Sequence, residues 1–498
     1  MKFALSHIAA AAGLAVVATS ALAAPTGVSR PLSNYTSGTT DVYLAGSSAV
    51  DLALTKLFDK ACDPGTLDTY RSDAGVKTYY LWTCESTTAN GFGLASGNTK
   101  IAIHKNTNSS SDGVNLLSNA TGATVLYLKT ADLASCNVAA TAIPSSAGLP
   151  AYTQSTCGTA AGAAGAGTDP QQPDFGFADS EPSQFNASVA PTLTTAYPFG
   201  IVFGVVVSKN VRDALQIQQF GTSGDAAAVP SLSSAQINAI YTGADTLWSQ
   251  AIGTATTGVF SENPVYVVRR GDGSGSNRAF NTAFVGEFCT PGLPPMVKST
   301  PTANTNVVNP VTECVSSTTS RRKQAATSDD MAACVAQFNS ANIGAIGYLS
   351  TDYQPQGTDG YRFIKVDGYL PTQLNVVDGK YKVWSEEALT YNTARGIPGD
   401  LASFYGRLQA ASTDAAYLSA VSQGLTQPIG GWTGGLLGAQ PNNQNQTNTW
   451  GLAVAGSLPV VRTNASVLAN PANPLSRALS TGYNLCAQPT PARGYQAQ

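Results

Sequence analysis

Histidine is almost missing from this chain: His7 and His104 are the two in 498 residues, and His7 falls in the N-terminal leader described below. Zinc sites built on paired histidines, and Ser-His-Asp relays, therefore have one imidazole to draw on, and hydrolase and metalloenzyme readings start badly. Charge is scarce as well, at 11% of residues, with 27 Lys+Arg against 30 Asp+Glu. No basic excess exists to neutralise a nucleic-acid backbone, so no nucleic-acid partner is expected. No C-x-x-C pair occurs, which removes the commonest redox and metal-ligating cysteine spacing. After the leader no segment is apolar enough to cross a bilayer, so no membrane insertion is expected.

What is present is a 43% share of hydrophobic residues, enough for a core, together with 48 glycines and abundant Ala, Ser and Thr. Low charge on such a chain reads as an exported protein with Ser/Thr/Asn surfaces rather than as disorder. Lys2, the apolar stretch Ala9 to Val17 and the small-x-small site Ala21-Leu22-Ala23 predict a signal peptide over 1–23. The apolar stretch falls short of the roughly 20 residues that span a bilayer. The mature chain then starts at Ala24, carries 26 basic and 30 acidic residues, and is placed in the periplasm or secreted. Eight cysteines in an exported chain point to disulfides. Cys62–Cys84 and Cys136–Cys157 are the favoured local pairs, and the pairing among Cys289, Cys314, Cys334 and Cys486 stays open.

Residues 24–40 are Pro/Ser/Thr-rich and read as a flexible leader, after which Asp41 to Gly46 predicts a strand and Ser48 to Asp59 a helix, with Leu54, Leu57 and Phe58 at helical spacing. A strand, a Gly-Ser-Ser turn and a helix in immediate succession begin an α/β unit. A low-complexity insertion is expected near 147–174. Phe199 to Ser208 is a near-continuous apolar run suited to a strand buried on both faces, and a crossover into a second lobe. A helix over Ser233 to Ile240, a strand over Val265 to Val268, a helix over Asn277 to Phe288 and a strand over Ile343 to Tyr348 follow. Beyond Asp378 the pattern alternates helical patches with polar loops, and Asn442 to Thr449 reads as a loop.

The chemistry lies in the turns. A Gly- or Ser-rich turn that follows a strand and opens a helix aims several backbone N–H groups at one point, at the positive end of the helix dipole. Gly46-Ser47-Ser48-Ala49 and Gly273-Ser274-Gly275-Ser276 are two such turns, and Ser109-Ser110-Ser111-Asp112-Gly113, before a short helix at Val114 to Ser118, is a third. Any one of them is an ordinary capped helix start; three in one chain point to an oxyanion. Arg270 precedes Ser274 by four residues, close enough to lay its guanidinium fork on the same anion. Asp272 either holds Arg270 or closes the turn. The run Gly271-Asp272-Gly273-Ser274-Gly275 is not a dinucleotide fingerprint, because Ser276 stands where the third glycine belongs.

These residues resemble the phosphate-binding proteins of bacterial ABC transporters. Val267 to Ser276 resembles the family's most specific segment, which by that match makes Arg270, Ser274, Gly275 and Ser276 ligand residues. Gly46-Ser47-Ser48-Ala49 resembles its first anion loop, with Ser48 or Ala49 at the position of a Thr hydroxyl. Ser110 to Val114 resembles its Ser-Ser-x-Gly-Val segment, with Ser110 at the ligand position, and Asp174 to Asp179 is similar to the segment ending in the Asp that accepts a proton from the bound anion. Leu232 to Trp248 and Ile343 to Tyr348 look like supporting segments without ligand contacts.

The resemblance implies an α/β, two-lobed periplasmic binding protein type II fold with a ligand cleft between lobes. Lobe 1 is expected over 41–197, lobe 2 over 198–354, and a return to lobe 1 with a C-terminal extension over 355–498. It further implies a solute-binding protein and no enzyme, with no cofactor, that captures inorganic phosphate or a similar protonated tetrahedral oxyanion for an ABC transporter permease. Asp179 would set selectivity, since an ionised carboxylate accepts from hydrogen phosphate but faces lone pairs on sulfate. Three departures stand out: the first loop places Ala49 where a Thr hydroxyl is expected if Ala49 rather than Ser48 is the aligned residue; Ser110 and Asp179 are 69 residues apart, so an insertion carrying Cys136 and Cys157 separates two site segments; and the C-terminal portion is enlarged. With the long Thr/Ser/Gly-rich insertions and no cysteine for a lipid anchor, these additions motivate the alternative, an extracellular adhesive or matrix protein that keeps the fold without a transport role.

Overall fold

A computed structural model describes residues 38–411 apart from 75–76, 88–90, 108, 119–123, 131–132, 134–135, 139–152, 158–167, 254–263, 287–295, 297–313, 316–320 and 378–379, together with 429, 432, 436–442 and 447–451. The strands that position the site are β1 (Thr39–Gly46), β2 (Asp68–Ala74), β3 (Lys77–Glu85), β4 (Lys100–Thr107), β5 (Phe175–Ala178), β6 (Leu193–Ser208), β7 (Tyr266–Arg270), β8 (Arg322–Ala325), β9 (Ala345–Ser350) and β10 (Trp384–Asn392). The helices are α1 (Asp51–Ala61), α2 (Ser110–Asn115), α3 (Lys209–Phe220), α4 (Ser234–Thr242), α5 (Gly275–Phe284), α6 (Ser328–Ser340) and α7 (Asp400–Ala411).

Among the described residues the main sheet runs β8-β7-β9-β6-β10-β5-β1-β4-β3-β2, continued by Thr153–Thr156 and Asn137–Val138. The Val-rich run lies in the second half of β6, a strand of 16 residues that serves both ends of this order. Its first part pairs antiparallel with β10, and its last part, Phe203 to Val207, pairs with β9. The register slips between Ala196 and Phe199. Pro198 lies in that interval and has no N–H for a ladder. The mixed sheet therefore reads as two halves joined through β6, one rich in β1-β4-β5 pairing and one in β7-β8-β9 pairing. The fold is α/β and two-lobed.

Parallel pairing of β1 with β4 and β5 sets the first half. α1 covers it with Leu54, Leu57 and Phe58, all 2% exposed or less, each worth about 1.5–3 kcal/mol relative to exposure. α2 crosses the ends of these strands at backbone contact distance: a Cβ on Gly176 would lie 1.7 Å from the Gly113 carbonyl oxygen. Only glycine permits that approach, and it brings Ser110, in the first turn of α2, beside the residues that follow β5.

Several expectations need revision. α1 begins at Asp51 rather than Ser48, because Ser47 and Ala49 are held in the preceding loop by Ser47 N to Phe177 O (3.0 Å) and Ala49 N to Ser47 Oγ (3.1 Å). α5 begins earlier than read, capped by the Ser274 hydroxyl. Part of the 147–174 insertion is structured: Thr153–Thr156 pairs with β2, Thr168–Gln171 pairs with Val125–Leu128, and Cys136–Cys157 closes across it. Beyond Asp378 the expected alternation of helical patches and loops includes the helix α7 but also a central strand, β10, that the pattern did not announce. Of the loop expected over Asn442 to Thr449, Asn442 and Thr447 to Thr449 lie instead in two antiparallel strands, Leu436–Asn442 and Thr447–Gly451, and 443–446 lie outside the described residues. His104 is 2% exposed, stacked on Tyr43 (4.7 Å) and bonded to Leu128 O and Asp41. Disulfides join Cys62 to Cys84, Cys136 to Cys157 and Cys314 to Cys334; Cys289 and Cys486 lie outside the described residues, as do the signal segment and the C-terminal extension beyond 451.

Burial leaves a mark on stability. Asp174 and Asp352 are both pushed up to about 6, chiefly by desolvation. A carboxyl that holds its proton more tightly when folded favours the folded state at low pH, and that advantage fades as pH rises through about 6. The ligand-free protein is expected to melt at higher temperature at about pH 5 than at about pH 7.5, by on the order of 1 kcal/mol per group. Thermal unfolding followed by circular dichroism checks this; a midpoint that climbs over the same interval contradicts it.

Candidate functional site

Four strand-to-helix turns meet where the two halves of the sheet face each other. From the first half come the loop between β1 and α1, the start of α2, and Asp179 just beyond β5. From the second come the loop between β7 and α5 and the loop between β8 and α6. The fourth turn, Thr327-Ser328, was not singled out in the sequence, although its capping box with Asp330 is a legible helix start.

The contacts across the cleft are direct. Ser110 Oγ accepts from Asp179 N (3.2 Å) and from Gly275 N (3.0 Å), and Ser111 N donates to Gly273 O (2.9 Å). A Cβ on Gly275 would lie 2.6 Å from both Asp179 Cβ and Ser110 Oγ, so a larger residue would hold the halves apart. Ser274 and Ser276 share a hydroxyl contact at 2.8 Å, and Ser48 Oγ stands 3.5 Å from Ser328 Oγ. Ser48 is half-buried; Ala49, Ser110, Asp179, Arg270, Ser274, Gly275 and Ser276 are buried. All eight residues singled out in the sequence therefore lie on these converging turns.

Arg270 is 3% exposed at the end of β7. Its backbone N–H donates to Tyr348 Oη (2.9 Å), which in turn donates to Asn277 Oδ1 (2.7 Å). Nη1 donates to Ser328 Oγ (2.9 Å) and Nη2 to Ala326 O (2.8 Å), while Nε has no acceptor among the described residues. Asp272 turns away and pairs with Arg269. No carboxylate of the described residues stands within ion-pair distance of the Arg270 guanidinium. Asp179 accepts from the Ser47 hydroxyl and the Ser276 N–H and contacts the carboxyl of Glu387. Burial pushes the Asp179 carboxyl up, opposed by the Glu387 contact and the charge of Arg270.

Beneath the first loop lies an ion pair that the sequence did not reveal. Lys105, on β4 and fully buried, donates to Asp51, to Ser47 O (2.5 Å) and to Thr107 Oγ1 (3.0 Å). Asp51 opens α1, so the pair ties loop, helix and strand together. A cavity of about 50 Å³ opens between Ser48, Thr107, Ser328, Arg71 and the carboxyl groups of Asp51, Asp329 and Asp352; Arg270, Ser110, Asp179 and Ser274 do not line it. A larger groove of about 680 Å³ lies beside the N-terminal end of β1, between Thr40, Gln171, Arg395 and Asp400, and none of the converging serines line it. At the rim Arg71 meets Asp329 at 2.6 Å, and Tyr353 Oη donates to the same carboxylate. Among the described residues no group of three or more His, Cys, Asp or Glu side chains is arranged to hold a metal ion, and no helix is long and apolar enough to cross a membrane.

A two-lobed α/β fold with polar turns converging in an interlobe cleft is the build of a solute-binding protein. A family model described as a PBP superfamily domain matches residues 119–403, more than half of the chain, and the chain belongs to that superfamily. Its family consists of binding proteins rather than enzymes. A search of the curated proteins finds no match. Among solved structures the chain is similar to a Clostridium perfringens protein assigned as a phosphate ABC transporter substrate-binding protein with bound phosphate, at 16% identity and TM-score 0.40, covering 76% of this chain and 96% of that one. An ABC-type phosphate transport receptor from Vibrio cholerae is 13% identical with TM-score 0.37 over 74% and 93% of the two chains. A phosphate-binding protein from Stenotrophomonas maltophilia is 14% identical with TM-score 0.35 over 91% and 100%.

Proposed function

We propose that this chain is an exported solute-binding protein that captures inorganic phosphate, or another protonated tetrahedral oxyanion, in the cleft and presents it to an ABC transporter permease. The observation that carries the reading is Arg270: a buried guanidinium with, among the described residues, no carboxylate in ion-pair distance and no acceptor for Nε. An unpaired buried charge is costly, and an anion between the turns completes it. The N-termini of α1, α5 and α6 and the hydroxyls of Ser48, Ser110, Ser274 and Ser276 supply neutral donors to replace the anion's water. Asp179, already accepting from Ser47 and Ser276, is the group that admits a protonated oxyanion. Lobe closure over the anion is the change a permease reads.

Equilibrium dialysis with radiolabelled phosphate tests this. Retention that unlabelled phosphate and arsenate displace and sulfate does not is the expected result; no retention, or displacement by sulfate, overturns it. The rim pair is expected to matter less. Asp329→Ala removes a partly exposed ion pair, worth about 0.2–1 kcal/mol, so affinity should fall no more than about five-fold, with the loss in the release rate and shrinking as salt rises. Stopped-flow release measurements at two ionic strengths check it.

A further inference from the structure

We propose that Glu387 is the protonated partner of Asp179, so that two buried carboxyl groups hold one proton between them and the anion meets a single negative charge on that wall of the site. The inference rests on the anion-binding reading above and adds to it a residue that positions the charge of Asp179.

The placement follows from strand register. β10 runs antiparallel to β5 with Ala388 opposite Ala178, so one step further Glu387 stands across from Asp179. Glu387 is fully buried, and apart from the Asp179 contact neither of its carboxyl oxygens has a hydrogen-bond partner among the described residues. Asp179, by contrast, is surrounded by donors: the Ser47 hydroxyl and the Ser276 N–H both point at it. Two ionised carboxylates in contact away from water repel strongly, and a proton bridging them removes the repulsion. The donors around Asp179 and the nearby charge of Arg270 stabilise its anion, so the proton resides on Glu387 and is donated to Asp179. Among the described residues, Lys105 on β4 and Asp51 on α1 are the further charged groups that act on Glu387. They pair with each other, and the Lys105 ammonium is committed to Asp51, Ser47 O and Thr107 Oγ1 rather than to Glu387. Burial, then the neighbouring Asp179, pushes the Glu387 carboxyl well above the usual carboxylate range.

The consequence is a pH window for binding. While Glu387 keeps its proton, Asp179 presents one negative charge with a lone pair left for the anion's hydroxyl. When Glu387 loses it, a second negative charge appears in the same wall and the anion is repelled. The test measures phosphate affinity from neutral to alkaline pH, where phosphate keeps its remaining proton, for the wild type, Glu387→Gln and Glu387→Ala. Infrared difference spectra of the ligand-free wild type and Glu387→Gln accompany it. The wild type is expected to lose at least about ten-fold in affinity across the range. Glu387→Gln, whose amide N–H replaces the donated proton but does not ionise, is expected to show a flatter profile, and Glu387→Ala to be about ten-fold weaker already at neutral pH. A protonated-carboxyl band present in the wild type and absent from Glu387→Gln is expected. Parallel affinity profiles, or no such band, overturn the inference. If the wild type binds no phosphate at any pH, the anion reading fails, while the band still decides whether Glu387 carries the proton.

Discussion

Arg270→Ala is expected to reduce phosphate affinity by about 30-fold to several thousand-fold while leaving the protein folded. Removing one partner of a buried, hydrogen-bonded charge pair costs about 2–5 kcal/mol, because the anion left behind keeps its desolvation penalty without its counter-charge. Charge-assisted hydrogen bonds from the guanidinium, each on the order of 1.5–3 kcal/mol, are the strongest single contacts available in this cleft. The fold should survive because the side chain's own partners are Ser328 Oγ and Ala326 O at the cleft wall, where water replaces the lost donors. The structural bond of this residue, backbone N–H to Tyr348 Oη, is untouched by the substitution. Calorimetric titration, with circular dichroism as the control for folding, checks the pair of expectations. An unchanged affinity removes Arg270 from the site and with it the observation on which the function rests.

Asp179→Asn is expected to collapse discrimination rather than binding. In the wild type the carboxylate has only lone pairs to offer, and sulfate brings no proton, so the two meet acceptor to acceptor in a water-excluded site. Sites built to hydrogen-bond a particular group reject the analogue lacking it by about 10⁴–10⁵, because the buried polar group is left unpaired. The amide of Asn offers an N–H to sulfate as readily as a carbonyl to hydrogen phosphate. Preference for phosphate over sulfate should therefore fall by at least about a hundred-fold, with phosphate itself weakened much less. Arsenate, of the same shape and protonation, should follow phosphate in both proteins. Competition titrations decide the matter: a variant as selective as its parent takes the proton-acceptor role away from Asp179.

Much of the site was legible because its parts are local. A turn that ends a strand and caps a helix writes itself in consecutive residues, and Gly46 to Ala49, Ser109 to Gly113 and Arg270 to Ser276 could be read that way. The short-range disulfides Cys62–Cys84 and Cys136–Cys157 were legible for the same reason. What escaped depends on pairing across the chain. Lys105 and Asp51 are unremarkable charges until β4 is laid beside β1, when they become a buried pair under the first loop. Glu387 sits in Trp-Ser-Glu-Glu-Ala-Leu, a stretch whose adjacent acids argue for solvent, and only the β10–β5 register buries it against Asp179. Nothing near His104 in sequence announces the Tyr43 ring that covers it. Ser328 was readable in principle from the Thr327–Asp330 box, but its role appears only once Arg270 is placed beside it.

The most direct test of the whole account is an isothermal titration of the purified, phosphate-stripped protein with phosphate, run beside an identical titration with sulfate. Saturable binding of one phosphate per chain and no heat of binding for sulfate are the expected results. Absence of binding for phosphate, or equal binding of the two anions, contradicts it.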